Sequence, residues 1–249
     1  MRRALRLRKV VFGFPASPLP GPRRAARAEA QDPARPVRSV TWLTRGGVAA
    51  AVAVGAAVGW GLGWPGLALL LVLFLSGSLL GHFAEGRGPR RTARQVVANG
   101  GVAAVAALAG VWAVATGALA AATADTWATE IGSFSRVPPR LITTGALVSR
   151  GTSGGITVLG SAGGVVGAAL IAGLAQLVAP RGTVSMAAGF ATGTAAGVLG
   201  MVADSVLGAT VQGMYACPRC DARSERGDTV CHEPMRLVRG WRWLDNDGV

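Results

Sequence analysis

Asp125, Glu130 and Asp204 are the only acidic residues inside the long apolar stretches of this 249-residue chain, and Asn99 is a polar companion in another such stretch. A carboxylate placed in hydrocarbon costs on the order of 3 kcal/mol even on the lenient insertion scale, so residues of this kind mark an ion or substrate site. Each stands where its stretch approaches a positively charged flank. Carboxylates that take a hard, oxygen-seeking Mg²⁺, set beside backbone groups that take phosphate, are what metal-assisted phosphoryl transfer requires. The phosphate half is offered by Arg150-Gly-Thr-Ser-Gly-Gly155, where Gly151, Gly154 and Gly155 let the backbone around Thr152 and Ser153 form an anion nest. Arg150, with Arg136 or Arg140, would offset phosphate charge, and Asp125 and Asp204 would hold the Mg²⁺. The same residue types also serve without a ligand. Polar groups that satisfy one another inside a membrane act as glue between helices, and Thr, Ser and Gly at a loop-to-helix junction cap the helix.

These side chains need helices to carry them. Hydrophobic residues make up 51% of the chain and charged residues 15%, with 37 glycines, which excludes an ordinary soluble domain and fits an all-α, polytopic bundle of about six membrane helices. Apolar runs cover 46–62, 64–83, 96–131, 154–178 and 184–212. The third run is too long for one span, so it is expected to split at a tight turn near Thr116-Gly117. With that split, 24 of the 25 basic residues fall on one side and only Arg181 on the other, which the positive-inside bias makes the cytoplasmic side. The expectation is a multi-pass protein of the cell membrane with both termini cytoplasmic. Its parts are a basic tail (1–45), a transmembrane domain (46–213) and a cysteine-containing tail (214–249).

Small residues fall on helical stripes: Gly55, Gly59 and Gly63; Gly117, Ala121 and Asp125; Gly189, Gly193 and Gly197, continuing through Gly200 to Asp204 and Gly208. Asn99 heads a stripe with Ala103, Ala106 and Gly110. Such spacing lets helix backbones approach closely in lipid, so Asn99, Asp125 and Asp204 are expected on contact faces, sharing one polar pocket. Asp125 and Glu130 are five residues apart, roughly 140° around a helix, so both reach one site only if the helix ends or unwinds between them. Otherwise Glu130 orients a loop, through Arg136 or Arg140.

The tails carry separate signals. No apolar core with a cleavage site follows the first arginines, so residues 1–45 read as a disordered basic tail rather than a secretory signal. The net charge of +13 flanks the apolar runs and forms no folded patch, which favours anionic membrane lipid over nucleic acid as counter-charge. Cys217-Pro-Arg-Cys220 followed by Cys231-His232 offers four ligands for a zinc knuckle, although adjacent Cys231 and His232 are awkward partners for one Zn²⁺; reduced thiols are the alternative. His82 reads as an interfacial anchor.

Six segments in order resemble the motifs of the transmembrane protein 19 family, also called domain of unknown function 92. They are Arg94-Gln-Val-Val-Ala-Asn-Gly100, Ala124-Asp-Thr-Trp-Ala-Thr-Glu-Ile-Gly132, Pro138-Pro-Arg-Leu-Ile-Thr-Thr144, Gly151-Thr-Ser-Gly-Gly155, Asp204-Ser-Val-Leu-Gly-Ala-Thr-Val-Gln212 and Trp243-Leu-Asp-Asn-Asp247. That family includes plant phytyl-phosphate kinase. The resemblance implies a prenyl-phosphate kinase that takes an isoprenoid phosphate and a nucleoside triphosphate, with Asn99, Asp125, Glu130 and Asp204 at the catalytic positions. A transporter or lipid-binding membrane protein without enzymatic activity is the alternative. Three departures stand out: arginines where members often carry lysine in Gly86–Arg91, the order Cys231-His232, and no final helix after the Asn-Asp motif.

Overall fold

The computed structural model describes residues 42–85, 90–179, 185–220, 223–225 and 232–244. Most of the N-terminal tail, Arg181, Cys231 and the Asp245–Asp247 end of the last motif lie outside them.

The first element, α1 (Arg45–Glu85), is 41 residues long but is not one rod. Gly63 adopts φ 67° and ψ −159°, a left-handed conformation that breaks the helix between the two expected runs. Pro65, which lacks an N–H, stands in the first turn of the second leg, where no intrahelical donor is needed. The chain reverses at this break, since Trp42, ahead of the first leg, lies 6.0 Å from the ring of Phe74 in the second.

Helices α2 (Ala93–Leu108) and α3 (Trp112–Ser133) follow. Thr92 and Gln95 close a capping box on α2: the Thr92 N–H donates to Gln95 Oε1 at 3.0 Å, and the Gln95 N–H to Thr92 Oγ1 at 3.3 Å. Such a cap is worth about 1 kcal/mol. The turn between α2 and α3 is at Gly110, not at Thr116-Gly117. Gly110 takes φ 70° while its N–H reaches Ala107 O at 2.9 Å and the Val111 N–H reaches Ala106 O at 2.9 Å, the paired bonds of a Schellman ending. Thr116 instead turns its hydroxyl back to Trp112 O within α3, and Gly117 is kept free of a side chain for a neighbouring helix.

Thr157 caps α4 (Val158–Val178) through its hydroxyl, and Ser185 caps α5 (Met186–Thr210) in the same way. The described residues therefore form five helices, the first broken in two. By length and composition, Arg45–Ala84, Val158–Val178 and Met186–Thr210 are long and apolar enough to cross a membrane. Leu69, Leu73, Ala103, Leu119, Ala120, Ile171 and Ala175 fill the centre of the bundle. Trp60 and Trp64 are exposed on either side of Gly63, as suits a membrane interface.

The legs alternate in direction, so Gly63 and Gly110 mark one end and the described arginines belong to segments at the other. Two small sheets gather there. Strands β1 (Arg140–Leu141) and β2 (Gly155–Ile156) pair antiparallel between α3 and α4. After α5, β3 (Met214–Ala216) runs between β4 (Arg223–Ser224) and β5 (Arg236–Arg239), antiparallel to both. The Arg239 guanidinium donates to Gly208 O at 3.1 Å, tying this sheet to the end of α5.

Candidate functional site: paired aspartates below a glycine loop

Helices α3 and α5 run in the same direction and meet along the small-residue stripes. A Cβ placed on Gly117 would lie 3.6 Å from that of Ala196, and one placed on Gly200 would lie 2.5 Å from that of Ala121. Both contacts pair a residue of α3 with the one 79 positions later in α5, and the next turn in this register sets Asp125 against Asp204. Their carboxylates lie close enough to act directly on each other, and both are half-buried. Helix α4 holds the pair together from the other direction: a Cβ on Gly164 would collide with the Met201 sulfur and lie 2.8 Å from the Ala124 carbonyl oxygen.

Two carboxylates this close require a proton or a cation between them. Among the described residues no basic side chain pairs with either. The C-terminal ends of α3 and α5 point toward the same end of the bundle, adding two negative dipole ends to two carboxylates. An oxygen donor set of this charge suits Mg²⁺, which binds through one or two carboxylates and fills its remaining positions with water or phosphate.

The glycine loop lies directly above. Gly154 packs on Ser205 and Ala209, its missing Cβ 2.6 Å from Ser205 O, and Gly208 packs on Ser153 and Gly154. Gly151 and Gly154 take φ 79° and 76°, conformations open to glycine at no steric cost. This loop does not cap a helix. It ends in β2, and Thr157 is the cap of α4, so any anion held here is held by loop amides and not by a helix N-terminus. One such amide already carries an anion: the Ser153 N–H donates to Glu225 Oε1 at 2.7 Å, and Glu225 Oε2 accepts from Gln212 Nε2 at 3.1 Å. Gln212 is almost wholly buried.

The other expected residues separate from this pair. Helix α3 continues unbroken through Glu130, so Glu130 faces α1, with Oε1 3.0 Å from where a Gly81 Cβ would be. Arg91 fills the neighbouring space over Gly77 and stands 6.0 Å above the Phe74 ring. Burial lowers the Arg91 guanidinium from its ordinary value, and the charge of Glu130 pulls it back up. Glu130 thus pairs electrostatically with Arg91, not with Arg136 or Arg140. Arg150 caps α3, donating to Ser133 O at 2.9 Å and to Ser135 O, and Arg140 donates to Gly145 O at 2.9 Å. Arg136 is exposed. Asn99 is half-buried on α2, and among the described residues no hydrogen bond joins it to either aspartate.

Sequence reasoning missed Arg91, Gln212 and Glu225. Gln212 closes one of the motifs and Arg91 ends the Gly86–Arg91 stretch, but the role of each, like that of Glu225, depends on a separation fixed only by the fold. The tail gathers Cys217, Cys220 and His232, whose ligand atoms lie within 4.8 Å of one another; Cys231 is outside the described residues. The amides of His232 and Arg219 and the His232 ring bring the Cys217 thiol down to about 5.

The family described as Integral membrane protein DUF92 matches residues 36–249. An uncharacterized membrane protein of Methanocaldococcus jannaschii is 36% identical over 156 residues, covering 57% of this chain and 63% of that protein. Protein PGR of Arabidopsis thaliana is 31% identical over 226 residues, covering 73% of this chain and 75% of that protein. No solved structure matches.

Proposed function

The chain belongs to the integral membrane protein DUF92 family, and on that premise we propose that it transfers a phosphoryl group from a nucleoside triphosphate to an isoprenoid monophosphate at the cytoplasmic face of the membrane. The observation that carries this reading is the pairing of Asp125 and Asp204 beneath the Gly151–Gly155 loop, the pair offering cation ligands and the loop anion donors. The motif resemblance to a family that includes phytyl-phosphate kinase supports the substrate class. Whichever face the arginine-bearing end occupies, both the loop and the aspartates belong to it, and the positive-inside bias makes that face cytoplasmic.

Asp125 and Asp204 would hold Mg²⁺, which would supply charge neutralisation for the donor phosphates. The amides around Ser153 would take the phosphate chain, and Glu225 would have to leave that amide as the nucleotide enters. Arg136 is free to face the phosphates; Arg140 and Arg150 shape the loop through their carbonyl contacts. A groove of about 480 Å³ between α2, α3, α4 and α5, lined by Val102, Trp112, Gly117, Gln176, Thr192 and Ala196, is mostly apolar and suits a prenyl tail. Gly117 lies eight residues before Asp125, about 12 Å along the helix, within reach of a diterpene chain. An oxygen of the acceptor phosphate forms the new bond to the terminal phosphorus as the bond to the bridging oxygen breaks, releasing the nucleoside diphosphate. No protein nucleophile is needed, because positioning and charge stabilisation carry such transfers.

Purified protein incubated with phytyl or geranylgeranyl phosphate, Mg²⁺ and labelled CTP, ATP, GTP or UTP should yield the labelled diphosphate lipid. Absence of product with every donor, together with ion flux in proteoliposomes, would instead support a transporter.

A further inference from the structure

We infer that the tail is a zinc site, with Cys217 Sγ, Cys220 Sγ and a His232 ring nitrogen as its ligands. This does not depend on the kinase reading. The three ligand atoms lie within 4.8 Å of one another, and Cys217 Sγ is 3.9 Å from His232 Nδ1, close to the separation of two ligands at the corners of one tetrahedron. Two thiolates and an imidazole are soft and borderline donors, a set that selects zinc over Mg²⁺ or Ca²⁺.

The local backbone is arranged around the sulfur. Cys217 follows β3 directly, and Pro218-Arg219 turn the chain so that Cys220 returns beside it. His232 approaches the same sulfur from the segment that leads into β5. Arg219 Nε is 2.5 Å from Glu233 Oε1, a brace between the two halves of the site. Neither cysteine is held in a disulfide, and Cys217 is buried and Cys220 half-buried.

The sheet also needs such a pin. Its strands have three, two and four residues, and a sheet this small has little core of its own. The residue after β4 is Glu225, which reaches the Ser153 amide, so the site anchors the part of the chain that touches the glycine loop.

The full chain, purified in detergent without chelator, should contain about one zinc per chain by elemental analysis. Cobalt grown in its place should show the thiolate charge-transfer absorption of a cysteine-bound ion. Cys217→Ser and Cys220→Ser should each lose most of the metal, and His232→Ala should weaken its retention, while helical circular dichroism stays unchanged. Because a variant could fail by misfolding, zinc release from the unaltered protein by a mercurial thiol reagent supplies a second reading: the metal should leave as the thiols are titrated. Protein without zinc, a Cys217–Cys220 disulfide in its place, or full zinc in the double serine variant would overturn the assignment.

Discussion

Asp125 and Glu130 lie five residues apart on one unbroken helix and yet belong to different neighbourhoods. Asp125 faces α5 and lies against another carboxylate; Glu130 faces α1, where its charge acts on the Arg91 guanidinium. The first pair is unfinished without a cation or a proton, whereas the second supplies its own counter-charge. The lesson is that an acidic residue inside an apolar helix is a clue to chemistry only when its partner is also acidic. When its partner is basic, it is closer to a fastening between helices.

Asp125→Asn and Asp204→Asn should break the comparison hardest. Each keeps the shape and removes a negative charge from the proposed cation site, so the rate of the proposed transfer should fall by about a thousandfold or more, the several kcal/mol that a bound cation contributes. Elution as a folded, monodisperse species should not change. Full activity in either variant at saturating Mg²⁺ would return the pair to a structural role.

The interface below the pair comes next. Gly200→Leu places a side chain where even a Cβ would be 2.5 Å from that of Ala121, so α3 and α5 must separate. Overpacking of this kind costs about 1–3 kcal/mol, and displacing the aspartates by about 1 Å should cost roughly a hundredfold in rate. Thermal denaturation followed by tryptophan fluorescence and the rate should both fall. Unchanged values would mean that the two helices are not held in this register.

Glu130→Gln should separate stability from catalysis. It leaves Arg91 without its counter-charge, so thermal stability should drop by about 1–3 kcal/mol while the rate at saturating substrates changes less than about tenfold. Adding Arg91→Gln should recover part of that stability. A rate loss equal to that of Asp125→Asn would place Glu130 in the chemistry after all.

Much of this arrangement was legible before any coordinates. Glycines and alanines every four residues marked the faces of α3 and α5, and the two aspartates continued those faces, so their meeting follows from periodicity and close approach. The break at Gly63 was readable because it falls between two runs of spanning length. The turn at Gly110 was not, since glycine is so frequent here that Gly110 and Gly117 look alike until one forms a Schellman ending and the other packs on Ala196. The angle between Asp125 and Glu130 showed that they could not share a face of an intact helix, but not that Arg91 was waiting for Glu130. The Glu225 contact was beyond sequence reasoning, because it joins a tail strand to a loop 72 residues earlier.

That contact supplies the smallest expected effect. Glu225→Gln removes a negative charge from the amide that a donor phosphate would use, so the KM for the nucleotide should fall several-fold with little change in kcat. A rise in KM would make Glu225 part of the binding site rather than its competitor.

The central claim is that the carboxylates of Asp125 and Asp204, and not that of Glu130, form the cation site. Electron paramagnetic resonance of Mn²⁺, used in place of Mg²⁺ and titrated into detergent-purified protein with a nucleotide present, separates the two neighbourhoods directly. The account predicts protein-bound Mn²⁺ in the unaltered chain and in Glu130→Gln, and its loss in Asp125→Asn and in Asp204→Asn. Binding that survives both aspartate substitutions but disappears with Glu130→Gln would contradict it.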